Sequence, residues 1–365
     1  MAKLAIIGAS TGQLELCKTA KRMGLTVICF AWPKNAVCKD IADIFYPISV
    51  IEKDRIASIC KKESINGVVS NASDLTAETV AYISEQLNLP GNPLSLFYNL
   101  RNKEWIRNKT NGIRDLAPVS YYSYNGDIPK QYPCIVKPIS GYSKKGVSFV
   151  PNPSSFDEAI SYAQSEEDKI LIESYVSGKE YSVETLSFNK KHYVIQITEK
   201  ITTGPPHFVE LEHHQPAVLP YSIVKRVDSV ICRILDSVGF ENGAAHIEIK
   251  IDDSSNIYLI EINPRGGGDY ISDTLVNLST GYDYLKGMIQ VALNSFAEPK
   301  IEHTKTAGVY FLCQQSRRLL PLFLQQKGES WLYRVSYDGK PLQSATGNYD
   351  RNGFLVYCSD AKIIL

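Results

Sequence analysis

The chain has 365 residues, of which 44% are hydrophobic and 21% are charged. This ordinary globular composition excludes a largely disordered chain, and the length predicts two or three subdomains. Lysine plus arginine and aspartate plus glutamate both total 39, so the overall charge gives no reason to expect a nucleic acid or an anionic membrane as partner.

The cysteines and the apolar runs indicate the compartment. Eight cysteines are scattered without CxxC pairs, which is typical of reduced thiols in a protein core. The opening MAKLAIIGAS lacks the longer apolar region and the cleavage site of a secretory signal. No apolar run approaches the roughly 18 residues that a transmembrane helix needs. We therefore expect a soluble, cytoplasmic protein.

The first 95 residues alternate between strand and helix patterns. The apolar run KLAII leads into a glycine-containing turn, an amphipathic helix that stops at Gly24, and a second buried strand, TVICF. The same rhythm continues through the apolar run GVVSN and a further helix before Pro90. This pattern predicts an open parallel sheet with helices on both faces.

Beyond Pro93 the pattern changes to a charged helix and then to an α+β arrangement with antiparallel hairpins. The clearest hairpins are EYSVETLSFNKKHYVIQITEK, turned at Asn189 and Lys190, and AAHIEIKIDDSSNIYLIEINPR, turned at residues 252–256. The segment 204–219 contains prolines, histidines and acids, which predicts a loop over the site. The tail from about residue 305 predicts a closing β-rich region.

The second hairpin carries candidate metal ligands. Residues two apart on a strand point to the same face, so Glu261 and Asn263 project together while Glu248 projects from the neighbouring strand. Two carboxylates and an amide suit a hard cation such as Mg²⁺. A solvated surface hairpin is the alternative, but the apolar flanks and the irregular PRGGGD segment disfavour it. Arg265 would then stand beside the metal and clamp a phosphate or a carboxylate.

A lysine and a glycine-containing loop form a candidate anion site. Lys137 lies in the apolar strand CIVKP, where burial is costly without an anionic partner; an exposed edge strand is the alternative. The following loop, residues 141–146, offers its backbone N–H groups and the side chains of Ser143, Lys144 and Lys145 to an anion.

The segment ESYVSGKE holds groups suited to a nucleoside. Glu173 ends an apolar strand, and the backbone of Tyr175 and Val176 could hydrogen-bond the edge of a base. Glu180 begins the next strand, and its carboxylate could accept hydrogen bonds from sugar hydroxyls. Exposed acids at strand ends are the alternative, and Lys103, upstream, would by itself be a solvated surface residue.

Taken in order, Lys103, IVKP, the glycine loop, ESYVSGKE, HIEI and EINPR resemble the ATP-grasp superfamily over about residues 1–300. The resemblance implies an α/β plus α+β fold with an N-terminal βαβ domain, a two-lobed ATP-grasp module and a small β-rich C-terminal region. The implied boundaries are 1–95 for the βαβ domain, 96–185 for the small lobe with its linker helix, 186–300 for the large lobe with the metal site, and 301–365 for the C-terminal subdomain.

The resemblance also implies roles for the candidate residues. The implied ATP-binding residues are Lys103, Lys137, Ser143, Lys144, Lys145, Gly146, Glu173, Tyr175, Val176 and Glu180. Within this set the lysines and the loop would contact phosphates, Glu173, Tyr175 and Val176 would line the adenine site, and Glu180 would meet the ribose. The implied ligands of magnesium, with two ions and Mn²⁺ as a substitute, are Glu248, Glu261 and Asn263. Arg265 and Lys137 would be the catalytic residues.

The EINPRGGGD segment is most similar to carboxylate–amine ligases typified by L-amino-acid ligases. This similarity implies that ATP activates a carboxylate as an acyl phosphate, which an amine captures to form an amide or peptide bond. The turn GASTGQLELCKTAKRMG is also similar to purine-pathway carboxylating enzymes, so carboxylation of an amine stays open, as does a nucleotide-binding regulator without turnover. The implied partners are small carboxylates and amines, with amino acids foremost; a homodimer stays open.

The histidines have no clear assignment from sequence. His207, His213 and His214 lack the spacing of a zinc site, so contact with substrate or a surface turn is expected instead. His246 shares a strand face with Glu248, which makes it either a neighbour of the metal ligands or a satisfied core histidine.

Overall fold

The computed structural model describes residues 1–141, 145–301, 305–325 and 328–365. Within these ranges the helices α1 to α10 are Thr11–Arg22, Lys53–Glu63, Asp74–Leu87, Leu94–Arg101, Lys103–Thr110, Phe156–Gln164, Tyr221–Val238, Val276–Thr280, Tyr284–Ala292 and Leu320–Gln325. The strands β1 to β17 are Lys3–Ile7, Thr26–Phe30, Ile44–Tyr46, Gly67–Val69, Leu116–Ala117, Tyr121–Ser123, Cys134–Pro138, Ser148–Val150, Ile170–Ser174, Lys179–Phe188, Lys191–Thr202, Glu210–Gln215, Gly243–Ile251, Ile257–Asn263, Thr306–Leu312, Leu332–Tyr337 and Gly353–Ser359. None of the described helices is both long enough and apolar enough to cross a bilayer.

The N-terminal sheet is parallel, in the order β3-β2-β1-β4. Successive side chains of β1 point to opposite faces, so Leu4 and Ile6 pack in one core and Ala5 and Ile7 in another. Helices α2 and α3 cover the second face, and α1 covers the first together with α9. The predicted parallel sheet with helices on both faces is confirmed, although one covering helix comes from residues distant in sequence.

A small antiparallel sheet follows, in the order β6-β9-β7-β8. One face packs on α6, where Val136 and Ile172 meet Phe156. In the register of β7 and β9, Ile135 pairs with Glu173 and Lys137 pairs with Leu171. Lys137 and Glu173 are therefore diagonal neighbours on the opposite face, away from α6.

The large sheet has nine strands in the order β16-β17-β15-β12-β11-β10-β13-β14-β5. Both predicted hairpins are present, as β10–β11 and β13–β14. Asn189 and Lys190, at the tip of the first, have φ of 51° and 66°, as expected of a tight hairpin turn. Helix α7 packs its apolar stripe on one face of this sheet.

The predicted β-rich C-terminal region is confirmed. Its strands β15, β16 and β17 join the edge of the large sheet through β12 and do not form a sheet of their own. The α/β plus α+β class is likewise confirmed, while the four domain boundaries stay predictions.

The predicted loop at 204–219 is wrong for residues 210–215. They form β12, which lies inside the large sheet between β11 and β15. The polar composition of this segment predicted a loop, but His214 is compensated in the core, where it lies 2.9 Å from both the Tyr357 hydroxyl and a Glu212 carboxylate oxygen. A paired polar side chain is tolerated in a core, whereas an unpaired one is not.

Candidate active site

A buried carboxylate between two cations organises one side of the site. The Lys137 ammonium lies 2.5 Å from Oε2 of Glu173, and Nε of Arg107 lies 3.0 Å from Oε1. All three side chains are at most 8% exposed. The expected burial of Lys137 beside an anionic partner is thus present, and both oxygens of Glu173 are engaged by side chains.

The three groups shift one another's ionisation. Burial favours the neutral form of Glu173, but the charges of Lys137 and Arg107 outweigh it and lower the pKa of the carboxyl to about 2. Burial, together with the like charges of Arg107 and Lys103, outweighs the opposing charge of Glu173 and lowers the pKa of Lys137 to about 8. Glu173 is therefore ionised at neutral pH, and Lys137 is a cation close to its titration range.

Arg107 also ties this group to the large sheet. Its Nη2 donates to the Ile260 carbonyl at 3.4 Å, one residue before Glu261 on β14. Sequence reasoning missed Arg107. A signal existed, because Arg107 follows Lys103 by four residues on α5 and the two side chains therefore share one helix face.

Lys103 and the glycine loop lie next to this group. Lys103 is buried at the start of α5 and donates to the Gly141 carbonyl at 2.7 Å. At the other end of the loop, Gly146 is buried with φ of +70°, and Lys145 is exposed. The predicted phosphate contacts of Ser143 and Lys144 lie outside the described residues.

The predicted metal ligands are brought together by β13 and β14. Glu248 pairs with Glu261 and His246 pairs with Asn263 across the ladder. The described residues contain no cluster of three or more His, Cys, Asp or Glu side chains arranged to hold a metal. Two carboxylates and one amide nevertheless fit Mg²⁺, which takes its remaining ligands from phosphate and water.

Glu248 is held in its ionised form by two cationic neighbours. Its Oε1 lies 3.0 Å from the Lys200 ammonium and 3.4 Å from Nε2 of His246. Burial alone would raise the pKa of Glu248, but these neighbours hold it well below its usual value. Glu248 is therefore ionised at neutral pH.

His246 links the metal ligands to the glycine segment after Arg265. Its Nδ1 bonds the buried carboxylate of Glu184, whose other oxygen accepts from the Gly267 N–H at 2.9 Å. Burial lowers the pKa of His246, yet the charge of Glu184 outweighs this and raises it to about 9. His246 is therefore both a core histidine with a partner and a neighbour of Glu248, and Glu184 was missed in the sequence.

Arg265 connects the large lobe to the N-terminal domain. Its Nε lies 2.6 Å from Oδ1 of Asp74, at the start of α3. Nearby, the Ser272 hydroxyl donates to Oδ1 of Asn71 at 3.1 Å, and the side-chain amide of Gln13 donates to the backbone carbonyl of Asn71. The N-terminal domain thus borders the candidate site.

The segment predicted for the nucleoside is held by a lysine that sequence reasoning missed. The Lys250 ammonium lies 3.3 Å from Oε1 of Glu180 and donates to the Val176 carbonyl at 3.2 Å. It also lies 4.9 Å from the centre of the Tyr175 ring. The residues predicted for adenine and ribose are therefore close together.

A second polar group adjoins Glu248 on the side of β12. Lys200 bridges Glu248 and Glu210, at 3.0 and 2.8 Å. Glu210 also lies 3.2 Å from Nε2 of the fully buried His213. Arg351 reaches this region from the C-terminal segment and pairs with Asp269 at 2.7 Å. His213 thus lies beside the candidate site, but in strand β12 and not in the predicted loop.

Part of the sequence matches a known domain family, and most of it is similar to a characterised enzyme. Residues 130–273 match the family model described as ATP-grasp domain. The formate-dependent phosphoribosylglycinamide formyltransferase of Hydrogenovibrio crunogenus is 24% identical over 282 residues, which cover 72% of this chain and 69% of the relative.

Two solved structures share the fold over nearly the whole chain. An L-amino acid ligase from Bacillus licheniformis superposes with a TM-score of 0.82 at 23% identity, covering 99% of this chain and 94% of that one. An N5-carboxyaminoimidazole synthetase from Staphylococcus aureus, solved with ADP, gives a TM-score of 0.77 at 18% identity, covering 99% and 94%.

The chain contains an ATP-grasp domain over residues 130–273. It is an enzyme of the ATP-dependent ligase class that joins a carboxylate carbon to an amine nitrogen. The fold and family predictions are confirmed, and the roles of individual site residues stay predictions.

The buried carboxylate gives a first test. Replacing Glu173 by Ala leaves Lys137 and Arg107 buried without their anion, so we expect the free energy of unfolding in urea to fall by about 3–5 kcal/mol. As a control, Asp360→Ala removes the exposed ion pair with Lys305 and should leave the unfolding midpoint unchanged. An equal, small effect of both changes would contradict the organising role of Glu173.

Proposed function

We propose that the protein uses ATP and Mg²⁺ to activate the carboxylate of an amino acid, or of a closely similar small molecule, and joins it to the amine of a second such molecule. The γ-phosphoryl group passes to a carboxylate oxygen, which releases ADP and leaves an acyl phosphate. The amine nitrogen then attacks the acyl carbon, a C–N bond forms, the carbon–oxygen bond to phosphate breaks, and the amine loses a proton.

One observation carries this proposal. Arg107 pairs with Glu173, the partner of Lys137, and binds the Ile260 carbonyl beside Glu261. Through Glu173, Arg107 therefore links the cationic side chain of Lys137 in the small sheet to the carboxylate-bearing hairpin of the large sheet. A phosphate chain with its cation needs this combination.

The charge of each site residue would determine its role. Lys103 and Lys137 would offset negative charge on the transferring group, and Arg265 would orient the carboxylate or acyl phosphate that approaches from the N-terminal domain. Glu248, Glu261 and Asn263 would hold Mg²⁺, which when bound neutralises phosphate oxygens. Tyr175, Val176 and Glu180 would position the nucleoside.

Phosphate release gives the test of this activity. With Mg-ATP and pairs drawn from a pool of amino acids, we expect release only when both a carboxylate and an amine are present, with a product whose mass is the sum of the two less one water. Glu261→Gln should lower kcat by about 100-fold or more, because a metal ligand loses its charge.

The matched control is Glu241→Gln, which removes an exposed partner of Lys190 and should leave kcat unchanged. Release that requires bicarbonate and an amine, with no second carboxylate, would contradict amide formation and favour N-carboxylation. Nucleotide binding without turnover on any pair would instead favour a regulatory role.

The pKa of Lys137 predicts how ATP binding responds to pH. Only the protonated ammonium attracts phosphate, and its pKa of about 8 means that the charge is lost as pH rises through that value. We therefore expect the KM for ATP to increase by about tenfold between about pH 7.5 and about pH 9.5.

In Lys137→Arg the guanidinium stays charged across this range, so the KM of that variant should change little with pH. A wild-type KM that is flat over the same range, or an equal rise in both proteins, would show that another group titrates.

A further inference from the structure

Lys250 is a buried cation that no step of the proposed reaction uses. It lies on β13, two residues beyond Glu248, and is 8% exposed. Strand periodicity places the two side chains on the same face of the sheet, toward the predicted nucleotide. A buried ammonium is retained only where partners offset its lost hydration, so the partners of Lys250 indicate its purpose.

Two polar partners of this ammonium belong to one short stretch of chain, while the Phe208 ring, whose centre lies 5.9 Å from the charge, belongs to another. The contacts are Glu180 Oε1 at 3.3 Å and the Val176 carbonyl at 3.2 Å. The Tyr175 ring lies below the charge at 4.9 Å, a favourable distance for a cation and an aromatic face. Lys250, a side chain of the large sheet, thus contacts three of the residues 175–180.

These residues connect the two sheets. The chain leaves the small sheet at Ser174, the end of β9, and enters the large sheet at Lys179, the start of β10. We call residues 175–180 the interlobe segment. Whatever fixes this segment also fixes the groups predicted to meet the base and the sugar.

The backbone shows the same close seating. Gly178 has φ of +123°, and a Cβ there would lie 2.5 Å from the carbonyl oxygen of Ile251, the residue after Lys250. Only glycine allows this conformation and this approach. The interlobe segment is therefore packed directly on β13 at Gly178, midway between Val176 and Glu180.

We propose that Lys250 is a positioning residue of the nucleotide site, which holds the interlobe segment so that Val176 and Glu180 face the nucleoside. The inference rests on the proposed function, because it takes ATP as the ligand of this cleft. Lys250 acts through the segment and not on the phosphates, so its loss weakens nucleotide binding and leaves phosphoryl transfer intact once the site is filled.

The test compares Lys250→Met with two other variants. Lys250→Arg keeps the charge and the donors. Lys53→Met is the matched control. Lys53 likewise has a carboxylate partner, Glu78 at 2.9 Å, and an aromatic ring, that of Tyr82 at 5.4 Å, but it lies on α2 of the N-terminal domain and touches none of the candidate site residues that the structure describes. The measurements are Kd for Mg-ADP by calorimetry, kcat and KM for ATP, and the melting temperature.

For Lys250→Met we expect Kd and KM to rise by about 10- to 100-fold, since bonds from a charged donor are lost, while kcat at saturating ATP stays within about threefold. Lys250→Arg should restore most of the affinity, and Lys53→Met should bind as the wild type does. A purely structural role would instead lower the melting temperature and the active fraction with KM unchanged.

If the wild-type protein binds Mg-ADP and Lys250→Met binds it with the same Kd, this inference alone is overturned. A wild-type protein that does not bind Mg-ADP or Mg-ATP would overturn the proposed function, and the inference with it. If Lys250→Met does not fold, Lys250→Gln, which keeps a donor for the Val176 carbonyl but lacks the charge, is judged by the same criteria.

Discussion

The ionised carboxylate of Glu173, held between Lys137 and Arg107, is the constraint on which the site depends. A carboxylate this deeply buried needs cationic partners, and each partner brings a further element with it. Lys137 comes from β7, next to β9, which bears Glu173, and Arg107 comes from α5 and reaches on to the backbone of β14. One charge balance therefore fixes the small sheet, the linker helix and the hairpin with the metal ligands relative to one another.

The same device recurs elsewhere in the cleft. Arg265 of the large lobe pairs with Asp74 of the N-terminal domain, and Lys250 of β13 grips the interlobe segment. In each case a cation on one element binds an anion or a carbonyl on another. An overall charge of zero is compatible with this, because the charges that matter are placed locally, where low exposure strengthens them. Such ties specify orientation more than they add stability, which suits a site whose chemistry is positioning and electrostatics.

Local pattern was sufficient for the elements whose residues interact with near neighbours in sequence. The hairpin of β13 and β14 followed from strand alternation. The sequence also indicated that Lys137, if buried in its apolar strand, would need an anionic partner. The partners of that lysine did not follow, because Glu173 and Arg107 lie 36 and 30 positions away and meet it only in the folded chain. Strand β12 was misjudged because His214 and Glu210 are compensated by Tyr357 and Lys200, which lie on other strands. Helix α9 covers the N-terminal sheet through contacts that no local periodicity encodes.

The central claim is that Lys137 and the hairpin carrying Glu248, Glu261 and Asn263 face one phosphate chain across the cleft. A crystal structure with Mg²⁺ and a non-hydrolysable ATP analogue measures this directly. The account predicts the Lys137 ammonium at about 3 Å from a phosphate oxygen, with Glu261 and Asn263 coordinating Mg²⁺ on the same nucleotide. A nucleotide bound elsewhere, or bound in the cleft with its phosphates directed away from both Lys137 and the hairpin, would contradict it.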